Sequence, residues 1–66
     1  MQVDGTRIRT LRENNGQSIK DLANMASITK GYLSLIENDH RDPSPPVAAR
    51  LAKALKVAIV DLRRDQ

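Results

Sequence analysis

Few side chains in this sequence could perform catalysis or hold a metal. There is no cysteine and a single histidine, His40, and we find neither a glycine-rich phosphate loop nor a plausible carboxylate pair. The remaining chemistry lies in 11 lysines and arginines against 8 acids, a formal net charge of +3. Such an excess of cations can neutralise phosphates, although many unrelated small proteins share it. The composition therefore predicts no enzyme, metal or cofactor, and it permits nucleic-acid binding.

Other classes of function are excluded by residue types that are missing. Tyr32 is the only aromatic residue, whereas modules that bind single strands stack bases on several rings. No apolar run approaches the roughly 18 residues that a membrane span needs, and the N-terminus has no apolar signal core. We therefore expect a soluble, cytoplasmic protein that is neither an RNA-recognition nor a single-strand-binding module.

The elements that position the polar side chains are predicted to be helices, because no stretch shows sustained alternation of β-branched residues. The chain length of 66 residues fits one domain, residues 1–66, with a thin core. Apolar residues recur at helical spacing in five segments. We predict helices at about residues 5–14, 18 to 25 or 26, 29–37, 44–55 and 59–64.

Start and stop signals support these bounds. The Asn-Asn-Gly run at residues 14–16 ends the first helix, since Asn and Gly tolerate the left-handed conformation. Ser18 with Asp21 three residues later resembles a capping box. Ser44 followed by Pro45 is a typical helix start, and Pro43 blocks continuation of the preceding segment.

The second and third helices are separated only by a short connection at residues 27–28, which predicts a helix-turn-helix unit. Residues 18–38, SIKDLANMASITKGYLSLIEN, resemble the Cro/repressor-type (lambda-repressor-like) helix-turn-helix DNA-binding family. LRENNG at 11–16, RDPS at 41–44 and LAKALKV at 51–57 match the same family in register. The resemblance covers nearly the whole chain. It implies an all-α, five-helix lambda-repressor-like domain with the helix-turn-helix at helices two and three.

Several residues of the motif are expected to be structural. Ala23 stands where the two helices cross, a place where a larger side chain would push them apart. The apolar residues that set the crossing angle are Leu22, Ile28, Leu33 and Ile36. Arg12 and Glu37 match a pair that in relatives joins helix one to the end of the recognition helix. They form an ion pair or, alternatively, are two solvated charges worth about 0–1 kcal/mol.

The resemblance places the recognition helix in the major groove, with its N-terminal residues facing base edges. The residues expected to read bases are Thr29, Lys30, Gly31, Ser34 and Leu35. Lys30 is the best candidate for a guanine O6/N7 contact, with a phosphate contact or a solvated side chain as alternatives. Ser34 would bond a base or a phosphate. Leu35 would lie against a thymine methyl group or pack on a neighbouring helix.

Contacts to the DNA backbone are expected near the N-termini of helices two and three and in the loop after the recognition helix. The expected residues are Ser18, Lys20, Tyr32, Asn38, His40 and Arg41. Two alternatives stay open: the Tyr32 ring packs against the domain instead of contacting a phosphate, and Arg41 reaches a groove edge instead of the backbone. The remaining basic residues are expected to form a solvated face without a site role: Arg50, Lys53, Lys56, Arg63 and Arg64.

The sequence departs from the family pattern at three positions. Ile19 stands where relatives often have a phosphate-binding Gln, a contact that is then missing or replaced by Lys20. Ser27 stands where Gly is usual, and a positive φ there would cost about 1 kcal/mol. Gly31 removes a side chain from a usual reading position, which favours sparse readout or readout of DNA shape.

The resemblance implies a transcriptional regulator, a repressor or operon controller, that binds a double-stranded DNA operator as a homodimer. Val60 and its neighbours are a candidate dimer patch. Because nothing follows Gln66, no effector-sensing domain is expected. This suits a phage or plasmid repressor, a restriction-modification controller, an antitoxin with a toxin or other regulator as protein partner, or a fragment of a larger regulator. The alternative is a protein-interaction module of the same fold with weak or no DNA binding.

Overall fold

The computed structural model describes residues 2–64. These residues form four α-helices, α1 (Gly5–Asn14), α2 (Ile19–Met25), α3 (Lys30–Glu37) and α4 (Pro45–Leu55), and then a short 3-10 helix (Ile59–Leu62). An isolated antiparallel bridge joins Val3 to Arg63, and this part of the chain contains no strand. The prediction of an all-α fold with a helix-turn-helix at the second and third helices is confirmed. None of these helices is long and apolar enough to cross a membrane.

The helices begin at side chains that satisfy free backbone N–H groups. Ser18 and Asp21 form the predicted capping box at α2, where the Ser18 hydroxyl accepts from the Asp21 amide at 3.0 Å. Thr29 caps α3, and Ser44 caps α4 ahead of Pro45. The cap of α1, which was not predicted, is the Asp4 carboxylate, which accepts from two amides of the first turn.

Each α-helix is followed, within two residues of its end, by a residue in the left-handed conformation. These four residues are Gly16 (φ 69°), Ser27 (φ 59°), Asp39 (φ 62°) and Lys56 (φ 61°). At each end the amide of the following residue bonds a carbonyl five residues back, as in a Schellman motif. Since only the first of the four is glycine, three helix ends adopt a backbone that disfavours a side chain.

The predicted five-helix count is wrong for the last element. The segment expected to be helical over residues 59–64 forms only a four-residue 3-10 helix, and Arg63 is extended (φ −74°, ψ 144°). The reason is pairing with the N-terminal segment, where the Asp4 amide donates to the Leu62 carbonyl at 2.8 Å. Together with the Val3–Arg63 bridge, this bond draws the end of the chain out of the helix.

The core is a single cluster of apolar side chains contributed by every element. Ala23, the residue expected where α2 and α3 cross, is buried, and Ile28 is half-buried against the cluster. The fully or nearly buried members are Val3, Ile8, Leu22, Ala23, Ala26, Leu33, Ile36, Val47, Leu51, Ala52, Ala54, Leu55 and Leu62. This core fixes α3 against α1 and α2 and leaves one face of α3 uncovered.

Candidate nucleic-acid interface

The turn between α2 and α3 is tight and stabilised by backbone bonds. The Ser27 amide donates to the Asn24 carbonyl, and the Ile28 amide donates to the Ala23 carbonyl at 2.9 Å. Ser27, which stands where the family usually has Gly, has a positive φ of 59°. Thr29 then starts α3 by accepting a hydrogen bond from the Tyr32 amide through its hydroxyl oxygen, at 3.0 Å. The second helix of the unit therefore begins directly at its cap.

The side chains of α3 separate onto two faces. Leu33, Ile36 and Glu37 are buried against the other helices. Helical spacing brings the five residues expected to read bases onto the opposite side, exposed except for a half-buried Ser34: Thr29, Lys30, Gly31, Ser34 and Leu35. Leu35 is 41% exposed, so it is available to an external apolar group.

Gly31 lies on the exposed face with open space around it. A Cβ at this position would have no neighbouring atom within 4 Å, apart from the helix's own backbone and adjoining residues. No packing or backbone strain therefore demands glycine here. Because Gly31 has no side chain, the α3 backbone between Lys30 and Ser34 is accessible from the exposed face.

The C-terminal end of α3 is anchored by charge. Glu37 is only 3% exposed and accepts from Arg12 Nε at 2.7 Å and from Arg12 Nη2 at 3.2 Å. Arg9 Nε approaches the same carboxylate at 3.4 Å. The hydrogen bond to Glu37 raises the pKa of Arg12 above its ordinary value, so the guanidinium stays charged wherever the fold exists. Arg12 also donates to the Gln17 carbonyl, which ties α1, α3 and the approach to α2 together.

Gly5 provides a second anchor at the same end of α3. A Cβ added there would lie 2.6 Å from the Glu37 carbonyl oxygen and would overlap that of Ile36. Because both atoms belong to the backbone, neither could move aside without shifting the helix. The first turn of α1 thus packs directly on the last turn of α3, at a distance that only glycine allows.

The residues expected to contact the DNA backbone lie in two places. Ser18 and Lys20 are exposed at the start of α2, and the Ser18 hydroxyl oxygen already accepts the capping bond. His40 and Arg41 are exposed in the loop after α3. The Arg41 guanidinium lies 6.0 Å from the centroid of the half-buried Tyr32 ring, which contacts the core, so packing is an observed role of this ring.

Asn38 is occupied by bonds within the protein. Its Nδ2 donates to the Ser34 carbonyl and its Oδ1 accepts from Arg9 Nη2, both at 2.8 Å. The carboxamide keeps one N–H for an external acceptor. Its orientation is therefore set before any ligand arrives.

Two arginines expected to be solvated make specific contacts instead. Arg50 Nε donates to the Ala26 carbonyl at the end of α2, at 2.8 Å. Arg64 Nη2 pairs with Asp39 Oδ1 at 2.6 Å. Both partners are distant in sequence, so periodicity could not reveal them. The one available signal was the Asn-Asp pair directly after α3, since these residue types tolerate the left-handed conformation.

Residues 2–64 contain no group of three or more His, Asp or Glu side chains placed to hold a metal ion. Helices α2 and α3 form a helix-turn-helix whose second helix presents an exposed polar face and is anchored at its C-terminal end. Such a face is suited to insertion into a groove of duplex DNA.

Comparison with known proteins identifies the class. The sequence matches the helix-turn-helix family model over residues 8–62. The chain therefore belongs to the Cro/C1-type helix-turn-helix family, as the resemblance in the sequence indicated. This is a family of DNA-binding transcriptional regulators and not of enzymes.

Individual relatives agree with this assignment. An HTH-type transcriptional regulator of Mycobacterium tuberculosis is 39% identical over 54 residues, which are 82% of this chain and 39% of the relative. This chain thus spans about two fifths of that relative's length. The restriction-modification controller protein C.AhdI from Aeromonas hydrophila has a similar structure, with a TM-score of 0.83, 30% identity and 86% of each chain covered.

SinR is similar in two solved complexes, as is the N-terminal DNA-binding domain of SinR from Bacillus subtilis. The SinR chain solved in complex with DNA has a TM-score of 0.80 and 33% identity, over 85% of this chain and 90% of that SinR chain. The SinR chain solved in complex with the SinI protein has a TM-score of 0.79 and 34% identity, over 83% of this chain and 54% of that longer SinR chain.

Proposed function

We propose that this chain is the DNA-binding unit of a transcriptional regulator, a repressor or operon controller, that inserts α3 into the major groove of an operator. The observation that carries the proposal is the exposed, polar N-terminal face of α3, opposite a buried and ion-paired face. Two findings support it: the family assignment and the similarity to SinR in its complex with DNA.

Base readout is assigned to the exposed face of α3. Lys30 supplies the donor for guanine O6 and N7, and the Ser34 hydroxyl bonds a neighbouring base or phosphate. Leu35 lies against a thymine methyl group, which fits its exposure. Thr29 contributes its hydroxyl hydrogen, since the oxygen is used in the cap. Gly31 offers a close backbone approach, so part of the specificity comes from DNA shape.

Phosphate contacts are assigned to the residues on either side of that face. Lys20 at the start of α2 and the loop residues His40 and Arg41 carry the main contacts. The Ser18 hydroxyl, the free N–H of Asn38 and the Tyr32 phenol are weaker contributors, because each of these side chains is already engaged in capping, in bonding Arg9 or in packing. These contacts orient the domain on the duplex without reading sequence.

The regulator is proposed to act as a homodimer through the patch around Val60. This side chain is 64% exposed on the 3-10 helix, beside a shallow cleft lined by Asp4, Arg7, Asp61 and Arg63. A two-fold axis brings a patch onto its own copy, and mixed charges around an apolar centre are self-complementary. Sedimentation of the protein and of Val60→Asp tests this: the wild type associates on a palindromic operator and the variant does not.

A titration with random-sequence duplex DNA at two salt concentrations tests the proposed function. Phosphate contacts release counterions, so log K falls with log salt by about 0.9 for each phosphate neutralised. We expect a slope of about −2 or steeper, since Lys20 and Arg41 are the cations among the phosphate contacts named above. A slope near zero would eliminate DNA binding and favour the second candidate, a protein-interaction module. That candidate is supported by SinR, which is also found in a complex with a protein partner.

A further inference from the structure

Three segments that are distant in the sequence meet behind the loop that follows α3. They are residues 2–5, 38–42 and 62–64, and we call their meeting point the terminal junction. The Asp42 carboxylate accepts from the Val3 amide at 3.2 Å. The Val3 carbonyl accepts from Arg64 Nη2 at 3.4 Å. The loop that carries His40 and Arg41 is thus held from behind by both flanking segments.

Asp39 lies at the centre of the terminal junction. One carboxylate oxygen, Oδ1, accepts from the Gly5 amide at 2.9 Å and from Arg64 Nη2 at 2.6 Å. Both side chains are partly exposed, 42% for Arg64 and 37% for Asp39, so the pair is in contact with solvent. A pair this exposed adds little to stability by itself. Its effect is better sought in the position of the residues that follow.

The backbone of Asp39 points to the same role. It occupies the left-handed position of a Schellman motif: its amide donates to the Ile36 carbonyl and the His40 amide donates to the Leu35 carbonyl. Glycine would adopt this conformation with less strain. The Asp39 side chain offsets the strain with two bonds that glycine cannot make. Those bonds fix the direction in which the chain leaves α3 toward Arg41.

We propose that the Asp39–Arg64 pair, together with the Gly5 amide, positions His40 and Arg41 against the DNA phosphates, so that Asp39 and Arg64 are positioning residues for DNA binding. The proposal rests on the proposed function. Under this proposal Asp39, an acidic side chain at the edge of the DNA-binding surface, strengthens binding. Electrostatics alone requires the opposite, because removing a negative charge raises the attraction of the domain for DNA.

Binding of a labelled random-sequence duplex distinguishes these cases without knowledge of the operator. Asp39→Asn keeps a residue that tolerates the left-handed conformation and an acceptor for Gly5, but it loses the charge that holds Arg64. We expect binding about fivefold weaker and a salt slope lower by about one phosphate contact. The matched control is Glu13→Gln on the exposed surface of α1, which removes the same charge and is expected to leave binding unchanged or slightly tighter.

Arg64→Met tests the other side of the pair while retaining an apolar stem. If Arg64 acts through Asp39, the double variant Asp39→Asn/Arg64→Met loses no more affinity than the weaker-binding single variant, because one interaction is removed only once. If Arg64 instead touches DNA directly, the two losses multiply, which overturns its positioning role. Urea unfolding of each variant accompanies the titrations, and all binding is measured where every variant is folded.

Asp39→Gly provides a variant that folds even if the other changes disturb the loop, since it relieves the left-handed strain. We expect it to be as stable as the wild type and yet to bind DNA with the same reduced salt slope as Asp39→Asn. Unchanged or tighter binding by Asp39→Asn and Asp39→Gly, with a steep wild-type slope, overturns this inference alone. A flat wild-type slope instead overturns the proposed function.

Discussion

The two ends of α3 differ in how they are held. At the C-terminal end, Ile36 and Glu37 are buried, two arginines bond the Glu37 carboxylate, and Gly5 packs against the last carbonyls. At the N-terminal end, Lys30 and Gly31 are exposed and the cap at Thr29 is the main restraint. A helix fixed firmly at one end can present the other to a ligand without being supported there.

The charges follow the same division. Within residues 2–64 the three ion pairs are Arg9–Glu37, Arg12–Glu37 and Asp39–Arg64, all at or just after the C-terminal end of α3. Lys30, at the other end, has no counter-ion in this part of the chain. An acid paired with Lys30 would compete with DNA for it, whereas the acids that form ion pairs, Glu37 and Asp39, lie at the opposite end of α3.

The largest expected effect comes from breaking the anchored end at Glu37. Glu37→Gln leaves Arg12 without its counter-charge in a site where its side chain is only 13% exposed, and we expect a loss of about 3 kcal/mol in the free energy of unfolding. Urea denaturation monitored by circular dichroism measures it. Glu13→Gln, on the exposed surface of α1, is the charge-matched control and should change stability by less than about 0.5 kcal/mol. Equal effects would show that the pair does not anchor α3.

A pair of identical substitutions at two glycines compares the two ends directly. Gly5→Ala forces a Cβ into the carbonyls of Ile36 and Glu37, and we expect it to lower the free energy of unfolding by about 2 kcal/mol. Gly31→Ala meets no atom and replaces glycine within a helix, so it should raise the free energy of unfolding by about 0.5 kcal/mol. The same denaturation experiment measures both. Effects of the same sign would contradict the contrast between the ends.

The N-terminal end of α3, the open end around Lys30, was easier to predict from sequence than the C-terminal end around Glu37, the anchored end. The caps, the turn and the exposed residues of α3 depend on local signals, such as Ser18 with Asp21 and the helical spacing of Lys30 and Ser34. The anchored end depends on partners brought together by folding. Gly5 meets α3 from 31 residues away or more, Arg64 lies 25 residues from Asp39, and no periodic pattern encodes either contact.

The prediction of a helix at residues 59–64 was wrong for a related reason. Ile59 and Leu62 have helical spacing, but the chain after Leu62 pairs with Val3, and a backbone bond to a segment about 60 residues away outweighs local propensity. The resemblance to the family named Arg12 and Glu37 as partners because the motif carries tertiary information, and their side chains lie 2.7 Å apart. It did not supply Arg9, whose spacing of three from Arg12 places it on the same side of α1.

The third prediction concerns the open end itself. Lys30→Ala removes the donor assigned to a guanine, and we expect about tenfold weaker binding to a duplex selected from random DNA. Binding to unselected duplex should weaken by less than about threefold, as for the loss of one phosphate contact. Lys53→Ala, which removes an exposed cation from α4, is the charge-matched control and should affect both duplexes equally. If Lys30→Ala also affects both equally, Lys30 contacts a phosphate and not a base.

The smallest effect is expected in the turn that leads into the open end. Ser27 has a φ of 59° in a Schellman motif, the position that Gly16 occupies at the end of α1 with a φ of 69°. Ser27→Gly should therefore raise the free energy of unfolding, by about 0.5–1 kcal/mol, because relief of the left-handed strain exceeds the added entropy of the unfolded chain. Denaturation measures the gain, with Gly16→Ser as the reciprocal control that should lose a similar amount. A loss on Ser27→Gly would mean that the serine side chain contributes a contact that outweighs its backbone strain. Glycine adopts the same left-handed conformation, so the turn and the direction in which α3 leaves α2 should be retained. DNA affinity should therefore stay unchanged while the stability rises.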